Sequence, residues 1–361
     1  MIIYLTGFTA LLLLRSSRAD GLPHLVKVCD VPLPDTPGRE MACVLPQLAK
    51  TGCLGQTPQS EWDVLVSSSK HRTRGTNVRS TMLSQAIPDD SFLELELPPG
   101  ALQNTGLPAD LRVFIDSPEL SLLNSAAFLQ RRINDGSLDQ QVAFARLFGL
   151  TCEFFGSYGR PPLRPMDGEV IYGLEPLSSN RRLTSYLEQC GGARGVQLAR
   201  SVSQHSVDMI ASPLEALVYA LLELPPRRGG IGFPKLLANA RLDLSEAGTE
   251  HHVLTPDLWS PELGLAIECD GRSVHAEGDS FVEDRRRIRD YQNLGLRVLP
   301  VTYNEVRNLT ASEGMLRQTI DIVSDRLSPQ MRWRLKGYVD DEGVRAKRAL
   351  LLAGLLPAYR Q

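Results

Sequence analysis

The 361-residue sequence lacks several patterns that would assign it to a common class of protein. None of its six cysteines forms a C-x-x-C pair, and no histidine follows one at zinc-finger spacing, which excludes the usual structural zinc sites. Internal repeats and low-complexity blocks are also absent. We therefore expect the cysteines to be reduced thiols, several of them buried, in a cytoplasmic protein.

A strong charge of one sign is missing as well. The formal net charge is -3 at pH 7, with a sequence pI of about 6.1, which excludes an overall electrostatic attraction for nucleic acid. Two local basic groups could still contact a DNA backbone, and a solvated loop or helix face is the alternative for both. Their arginines are Arg72, Arg74 and Arg79 in the first group, and Arg285, Arg286 and Arg287 in the second.

The apolar run at residues 1–14 has no lysine or arginine before it. Arg15 and Arg18 follow it, which is the reverse of the polarity of a secretory signal, and the run is too short to span a bilayer. We expect no membrane partner, with a signal peptide as the less favoured alternative. The pattern instead predicts a short helix over 5–15, with Thr6 as a possible cap.

Hydrophobic residues make up 42% of the chain and charged residues 22%, which is typical of a globular protein with two or three domains. Residues 29–60 and 159–180, rich in proline and glycine, are predicted to be loops. The predicted strands are 63–66, 92–97 and 111–115, and the predicted helices are 118–150, broken near 135–136, and 181–190.

The clearest helix is predicted over Ser212–Leu224. Ser212 is suited to cap it and Pro213 to occupy its first turn. Glu215 has two interpretations. Ser212 and Glu215 have the spacing of a capping box, which would satisfy free amides at the helix start. The alternative is that Glu215 supplies a fourth acid to the site described next.

Three acids lie around one short apolar run, Leu263–Ile267, which predicts a buried strand. Asp257 precedes the run, while Glu268 and Asp270 follow it. Because side chains alternate along a strand, Glu268 and Asp270 point to the same side. Clustered carboxylates repel each other, and a hard divalent cation reconciles them. The pattern therefore predicts a site for Mg²⁺ or Mn²⁺, with Asp257 as an ordinary turn residue in the alternative interpretation.

These residues belong to a longer ordered series within 212–306. The series consists of Asp257, Glu268, Asp270, Gly271, His275, Asp284, Arg287, Gly295, Arg297, Val298 and Leu299. It resembles the PD-(D/E)XK nuclease superfamily, and within it the E-x-D-G domains related to the very-short-patch-repair endonuclease. One departure is that Asp270 stands where the superfamily name calls for a lysine.

The resemblance implies an α/β protein in three parts. Residues 206–306 would form the nuclease domain, a restriction-endonuclease-like mixed sheet flanked by helices in the order α-β-β-β-α-β. Residues 1–205 would form an α+β region, and 307–361 a helical extension. The implied metal ligands are Asp257, Glu268 and Asp270, with Glu215 as a possible fourth, and the first three would also be catalytic.

Two further catalytic residues are implied. With the lysine absent, His275 is the first choice for general base or proton shuttle, ahead of His251 and His252, although a lone histidine is usually structural. Arg287 would stabilise charge on the scissile phosphate, with Arg285 and Arg286 on the DNA backbone. An ordinary i, i+3 pair with Asp284 explains Arg287 equally well.

The first half of the chain carries a second resemblance. Its phrases are T-A-L-x-x-x-R at 9–15, S-P-E at 117–119, L-T-C-E-F-F-G-S-Y at 150–158, S-P-x-E at 212–215 and G-G-I-G-F-P at 229–234. They resemble long actinobacterial proteins that join an antitoxin-like region to an E-x-D-G domain, some of them type IV (abortive-infection, AbiEi-like) antitoxins.

Together the two resemblances imply a metal-dependent DNA endonuclease in a defence or toxin–antitoxin setting. The main alternative is a non-catalytic, DNA-binding transcriptional regulator or antitoxin, whose partners would be DNA and a cognate toxin or other protein. A structural interaction protein with a decayed site is the third interpretation.

Overall fold

A computed structural model describes residues 1–28, 31–32, 34–55, 61–73, 77–82, 87–162, 169–243, 253–270 and 289–356. The strands are β1 (Ile2–Leu5), β2 (Leu25–Lys27), β3 (Trp62–Val66), β4 (Val78–Met82), β5 (Phe92–Leu95), β6 (Arg112–Asp116), β7 (Tyr158–Gly159), β8 (Ile171–Tyr172), β9 (Leu237–Ala238), β10 (Leu242–Asp243), β11 (Val253–Leu254), β12 (Leu258–Ser260), β13 (Leu265–Asp270) and β14 (Arg297–Thr302).

The α-helices are α1 (Gly7–Asp20), α2 (Gly38–Lys50), α3 (Pro118–Asn134), α4 (Gln140–Phe155), α5 (Asn180–Gln189), α6 (Val196–Ser203), α7 (Pro213–Glu223), α8 (Leu309–Ile322), α9 (Pro329–Asp340) and α10 (Glu342–Leu355). Residues 289–293 are also helical. Within the described ranges, none of the helices has the length and apolar character needed to cross a membrane. The mixture of helices and mixed sheets confirms the α/β prediction.

The chain divides into two compact units. Unit 1 contains residues 1–138 and 158–206, and unit 2 contains residues 139–157 and 207–361. Contacts thus place α4 with the later part of the chain. They also place the predicted extension 307–361 in the same unit as the predicted nuclease domain 206–306.

Unit 1 is built on a six-stranded mixed sheet in the order β2-β5-β6-β1-β3-β4. At its centre, β1 pairs in parallel with β6 and antiparallel with β3. The central strands are almost wholly buried, with Ile3, Val64 and Val113 at 0% exposure. Strands buried in this way are expected to be mostly apolar rather than alternating. β1 fits that expectation throughout, whereas β3 and β6 also bury Asp63 and Asp116.

One prediction for the first sixty residues is confirmed and one is corrected. The helix predicted over 5–15 is α1, which begins at Gly7 with Thr6 at its N-cap position, although the Thr6 side chain makes no cap hydrogen bond. Strand Ile2–Leu5, which pairs with β6, precedes it. The predicted loop at 29–60 contains α2, which has Pro46 inside it. That helix survives its proline because it buries a stripe formed by Met41, Leu45 and Leu48.

Other local predictions are confirmed. The strands predicted near 63–66, 92–97 and 111–115 are β3, β5 and β6, and the helical region after 118 is α3 and α4 with a break between them. Asp139 caps α4, since its Oδ1 accepts from the backbone amides of Gln141 and Val142. The helix predicted at 181–190 is α5.

Unit 2 contains a four-stranded sheet in the order β14-β13-β12-β9. Strand β12 pairs antiparallel with both β9 and β13, whereas β13 pairs in parallel with β14. A parallel pair needs a crossover, and helical residues 289–293 lie in the connection between β13 and β14. Along the chain, helix α7 is followed by β9, by β10 and β11, which form a separate two-stranded sheet, and then by β12, β13, this helical segment and β14.

The C-terminal helices pack within unit 2. Helix α8 packs against β14 and α7, α9 packs against α8, and α10 packs against α4. Arg348 of α10 is completely buried, and its guanidinium donates to the carbonyl oxygens of Gly229, Tyr338 and Val339. These hydrogen bonds offset much of the free-energy cost of burying the guanidinium cation. Arg348 therefore anchors α10 within unit 2.

Candidate functional site

The hairpin of β12 and β13 is the frame of the site. Residues 261–264 form its turn, and Gly264 adopts a φ of 52°, which favours glycine. Arg326 holds this turn by donating to the carbonyl oxygens of Leu263 at 2.7 Å, Gly264 at 3.1 Å and Gly295 at 2.9 Å. These hydrogen bonds connect the start of β13 to Gly295, which lies shortly before β14.

Asp257 lies immediately before β12 and faces the end of β13. The ladder pairs Leu258 with Ile267, so the same register continued by one step places Asp257 opposite Glu268. Asp257 Oδ2 also accepts a hydrogen bond from the backbone amide of Cys269 at 2.6 Å. Two of the predicted acids are thus brought together across the hairpin.

Glu215 is 3% exposed in the first turn of α7. Ser212 caps the helix, because its Oγ accepts from the Glu215 amide at 3.1 Å. The Glu215 carboxylate reaches back one residue further than in a capping box, and its Oε2 accepts from the Ala211 amide at 2.8 Å. The capping interpretation therefore applies in this modified form, and the same side chain also lies beside Asp257, as described below.

Asn239 joins Glu215 to the hairpin. Its Nδ2 donates to Glu215 Oε2 and to the carbonyl oxygen of Met209, both at 2.8 Å, while its backbone amide donates to the carbonyl oxygen of Asp257 at 3.0 Å. Its φ is 48°, in the left-handed region that asparagine tolerates better than most residues. Asn239 was not among the site residues predicted from the sequence. The only feature that could have indicated it is its residue type, an asparagine in the stretch A-N-A.

The electrostatics show how closely the acids are grouped. Burial raises the pKa of Glu215 to about 7, and the charge of Asp257 is the next cause, opposed by the hydrogen bonds to Glu215. Desolvation also raises the pKa of the Cys269 thiol well above its ordinary value, followed by the charges of Asp257, Glu215 and Glu268. Three carboxylates therefore act on one thiol at the end of β13.

Glu268 and Asp270 occupy the last residues of β13, opposite Pro300 and Thr302 of β14. Both lie on one continuous strand two residues apart, which places them on the same face. Glu268 is partly buried and Asp270 is exposed. Along this strand, the first of the two acids is therefore partly buried and the second lies at the surface.

An apolar cluster covers the earlier part of that face. Ala266, Leu254 and Tyr291 form its buried centre, with Trp259 and Val298 among the side chains packed around them. Ala266 and Glu268 share a face because they are two residues apart. The acids thus begin where this cluster ends, next to helical residues 289–293.

Several predicted site residues lie outside the described residues. They are Arg74, His251, His252, His275, Asp284, Arg285, Arg286 and Arg287. Their predicted roles stay predictions.

The basic group in unit 1 is partly neutralised. Arg79 forms a two-pronged ion pair with Asp63, with Nε to Oδ1 at 2.5 Å and Nη2 to Oδ2 at 3.1 Å. Arg72 is exposed. The two arginines are therefore unequal as contacts for a phosphate, because one already has a carboxylate partner.

In the described part of unit 2, the acids do not form a complete set of metal ligands. Among the described residues, no three side chains of His, Cys, Asp or Glu are placed so that they could hold a metal ion. The pair facing each other across the hairpin, Asp257 and Glu268, suits a cation that takes one or two protein carboxylates and completes its shell with water and substrate oxygens, as Mg²⁺ does.

In comparisons with known proteins, no family model, no curated protein and no solved structure matches the chain.

Proposed function

We propose that unit 2 is a metal-dependent DNA endonuclease domain of the PD-(D/E)XK type. The observation that carries the proposal is the grouping of Glu215, Asp257 and Glu268 around Cys269 at the end of β13. Burial and the charge of Asp257 raise the pKa of Glu215, and burial and all three acids raise the pKa of the Cys269 thiol. Shifted pKa values of this kind are more typical of functional sites than of random surfaces.

The order of elements supports the proposal. Apart from the separate β10–β11 pair, which is inserted between β9 and β12, a helix, three strands, a helical segment and a fourth strand follow each other, and the last strand is parallel to the third. This is the order that the resemblance implies for a restriction-endonuclease-like domain. The fold alone would not indicate an activity, so the acids must carry the functional argument.

The chemistry of the donor set fits a hard cation. Asp257 and Glu268 are the proposed ligands of Mg²⁺ or Mn²⁺. Of the other two acids, Asp270 is exposed to solvent and Glu215 is buried beside Asp257. When bound, the ion would lower the pKa of a coordinated water and neutralise charge on the phosphate.

The chain's own groups would prepare this site. The hydrogen bond from the Cys269 amide orients the Asp257 carboxylate, and Asn239 keeps Glu215 beside it. Exposed Asp270 marks the side from which a substrate would approach. We keep His275 as the proposed proton acceptor and Arg287 as the proposed phosphate contact, on the sequence pattern alone.

The test is nicking of supercoiled plasmid with Mg²⁺ or Mn²⁺, with a chelator as the blank. Asp257→Asn and Glu268→Gln should each reduce nicking at least 100-fold, because each removes a proposed ligand. Glu262→Gln is the matched control, since Glu262 is an exposed carboxylate in the turn of the same hairpin. Equal nicking by all four proteins, or none by the wild type, would refute the proposal.

A non-catalytic DNA-binding regulator or antitoxin is the second candidate. The observation that favours it is that the carboxylates of Asp257 and Glu215 already accept backbone amides and so also serve the fold. This candidate predicts metal-independent binding to the protein's own promoter or to a cognate toxin. It also predicts that Glu268→Gln leaves that binding unchanged and that plasmid stays intact.

A further inference from the structure

An exposed tryptophan on α9 is the starting point. The chain has three tryptophans. Trp62 is 2% exposed and Trp259 packs against the apolar cluster of unit 2, whereas Trp333 is 78% exposed. A tryptophan side chain in water forfeits a large burial free energy, so an exposed one is often a contact for a partner.

The charges beside Trp333 distinguish it from a stray apolar residue. Arg332 and Arg334 precede and follow it in the sequence, so their side chains project about 100° to either side of the indole. Both are exposed, and Arg334 Nη2 donates to Met331 Sδ at 2.8 Å. Three other cations of α8, α9 and α10 pair with acids: Arg317 with Asp340 at 2.6 Å, Lys336 with Asp321 at 2.8 Å and Arg345 with Glu313 at 2.7 Å. In the part of the chain that the structure describes, neither Arg332 nor Arg334 has an ion pair with a carboxylate.

The face that carries Trp333 is open. Helix α9 buries Leu335 and Val339, and Trp333 lies on the opposite side of the helix, as its exposure shows. Gly337, one turn further on, would place a Cβ with no atom within 4 Å. The helix surface one turn beyond Trp333 is therefore open, and the indole itself is 78% exposed.

We propose that this outer face of α9 binds single-stranded nucleic acid, with an unpaired base stacked on Trp333 and backbone phosphates on Arg332 and Arg334. Stacking on an exposed aromatic ring combined with cations for the backbone is the general way in which proteins hold single strands. A duplex offers no free base face, so the surface fits unpaired segments or frayed ends.

This surface goes beyond the proposed endonuclease site. Helix α9 packs on α8, and α8 packs on β14, so Trp333 belongs to a different layer of unit 2 from the β12–β13 hairpin. Binding at this face requires none of the acids of the site and no cation. It can therefore be tested in a chelator, where the endonuclease proposal plays no part.

The experiment is a titration of the full chain with a thymidine oligonucleotide in EDTA, followed by tryptophan fluorescence and by anisotropy of a labelled strand. The expected result is quenching of the wild-type emission on binding. Trp333→Ala should weaken binding about tenfold. Trp333→Phe keeps an aromatic ring, so it should bind within a few-fold of the wild type and lose the quenching, because Trp62 and Trp259 remain unaffected.

The arginines are tested by the salt dependence of binding. The double variant Arg332→Gln, Arg334→Gln should lower the slope of log K against log salt by about 1.4, since each lost phosphate contact on a single strand removes about 0.7. Arg307→Gln, which also removes an exposed arginine of unit 2, should leave the slope and the quenching unchanged. Circular dichroism and thermal unfolding should match the wild type in all these variants, because every altered side chain is exposed.

Three results would overturn the proposal. The first is wild-type fluorescence that the oligonucleotide does not change. The second is oligonucleotide affinity that Trp333→Ala leaves intact. The third is quenching by anionic lipid vesicles or by polyglutamate but not by the oligonucleotide, which would assign the face to a membrane surface or an acidic protein. Loss of plasmid nicking in Glu268→Gln, or its persistence, has no bearing on any of these outcomes.

Discussion

Asn239 Nδ2 donates to Glu215 Oε2 at 2.8 Å, although the two residues lie 24 positions apart. The backbone amide of Asn239 donates at the same time to the carbonyl oxygen of Asp257. One residue with left-handed backbone thus connects the first turn of α7 to the hairpin of β12 and β13. The placement of Glu215 beside Asp257 depends on this connection.

Replacement of Asn239 tests the connection. Asn239→Gly accepts the φ of 48° but loses the amide side chain, so it should lower the free energy of unfolding by about 1–2 kcal/mol. Asn239→Ala should cost about 1 kcal/mol more, because a Cβ is strained in the left-handed region. Urea denaturation measures both, and a glycine variant as stable as the wild type would show that the side chain's hydrogen bonds are dispensable.

Asp116 gives unit 1 a pH-dependent stability. Its Oδ2 accepts from Thr6 Oγ1, the Gly7 amide and Asn124 Nδ2, and burial raises its pKa to about 7, with the charge of Asp63 as a further cause. Because the folded pKa lies above the unfolded value of 3.8, the protonated acid stabilises the fold at low pH. This contribution is lost as pH rises from about 4 to about 7.

Asp116→Asn should remove that pH dependence while keeping an oxygen acceptor in place. The stability of the wild type relative to Asp116→Asn should therefore fall between pH 4 and 8, by at most about 4 kcal/mol. Thermal unfolding of both proteins at a series of pH values measures the difference. A constant difference across this range would mean that Asp116 has the same proton affinity in the folded and unfolded chain.

The thiol of Cys269 reports on the acids around it. Because desolvation and three carboxylates raise its pKa, it should be alkylated by iodoacetamide at pH 8 more slowly than the exposed Cys43. Asp257→Asn or Glu268→Gln removes one negative charge and should speed the modification several-fold, whereas Glu262→Gln should not. Peptide mapping by mass spectrometry gives the rates, and equal rates in all variants would argue against the grouping of the acids.

The two described arginines of the unit 1 basic group should differ in any DNA binding. Arg72→Gln removes an exposed cation and should reduce the slope of log K against log salt by about 0.9 for duplex DNA. Arg79→Gln should change the slope much less, because Arg79 already pairs with Asp63. It should instead leave Asp63 without its partner and reduce stability. Equal changes in slope would show that the ion pair opens when DNA binds.

Local sequence determined much of the secondary structure. Ser212 and Pro213 start α7, and the short apolar runs of β3 and β6 became strands, because capping residues and side-chain periodicity act over a few positions. The alternation of side chains along β13 also determined that Glu268 and Asp270 share a face. The sequence failed at α2, where proline content suggested a loop but burial of an apolar stripe favoured the helix.

Only the tertiary structure decided which acids meet. Residues 215, 239, 257 and 269 come from a helix, two loop positions and a strand, and their hydrogen bonds join positions 12 to 24 residues apart. The spacing of Asn239 did not indicate that it would hold Glu215, and only its residue type offered a signal. The high pKa of Glu215 likewise arises from burial and from the charge of Asp257, and both exist only after the chain has folded.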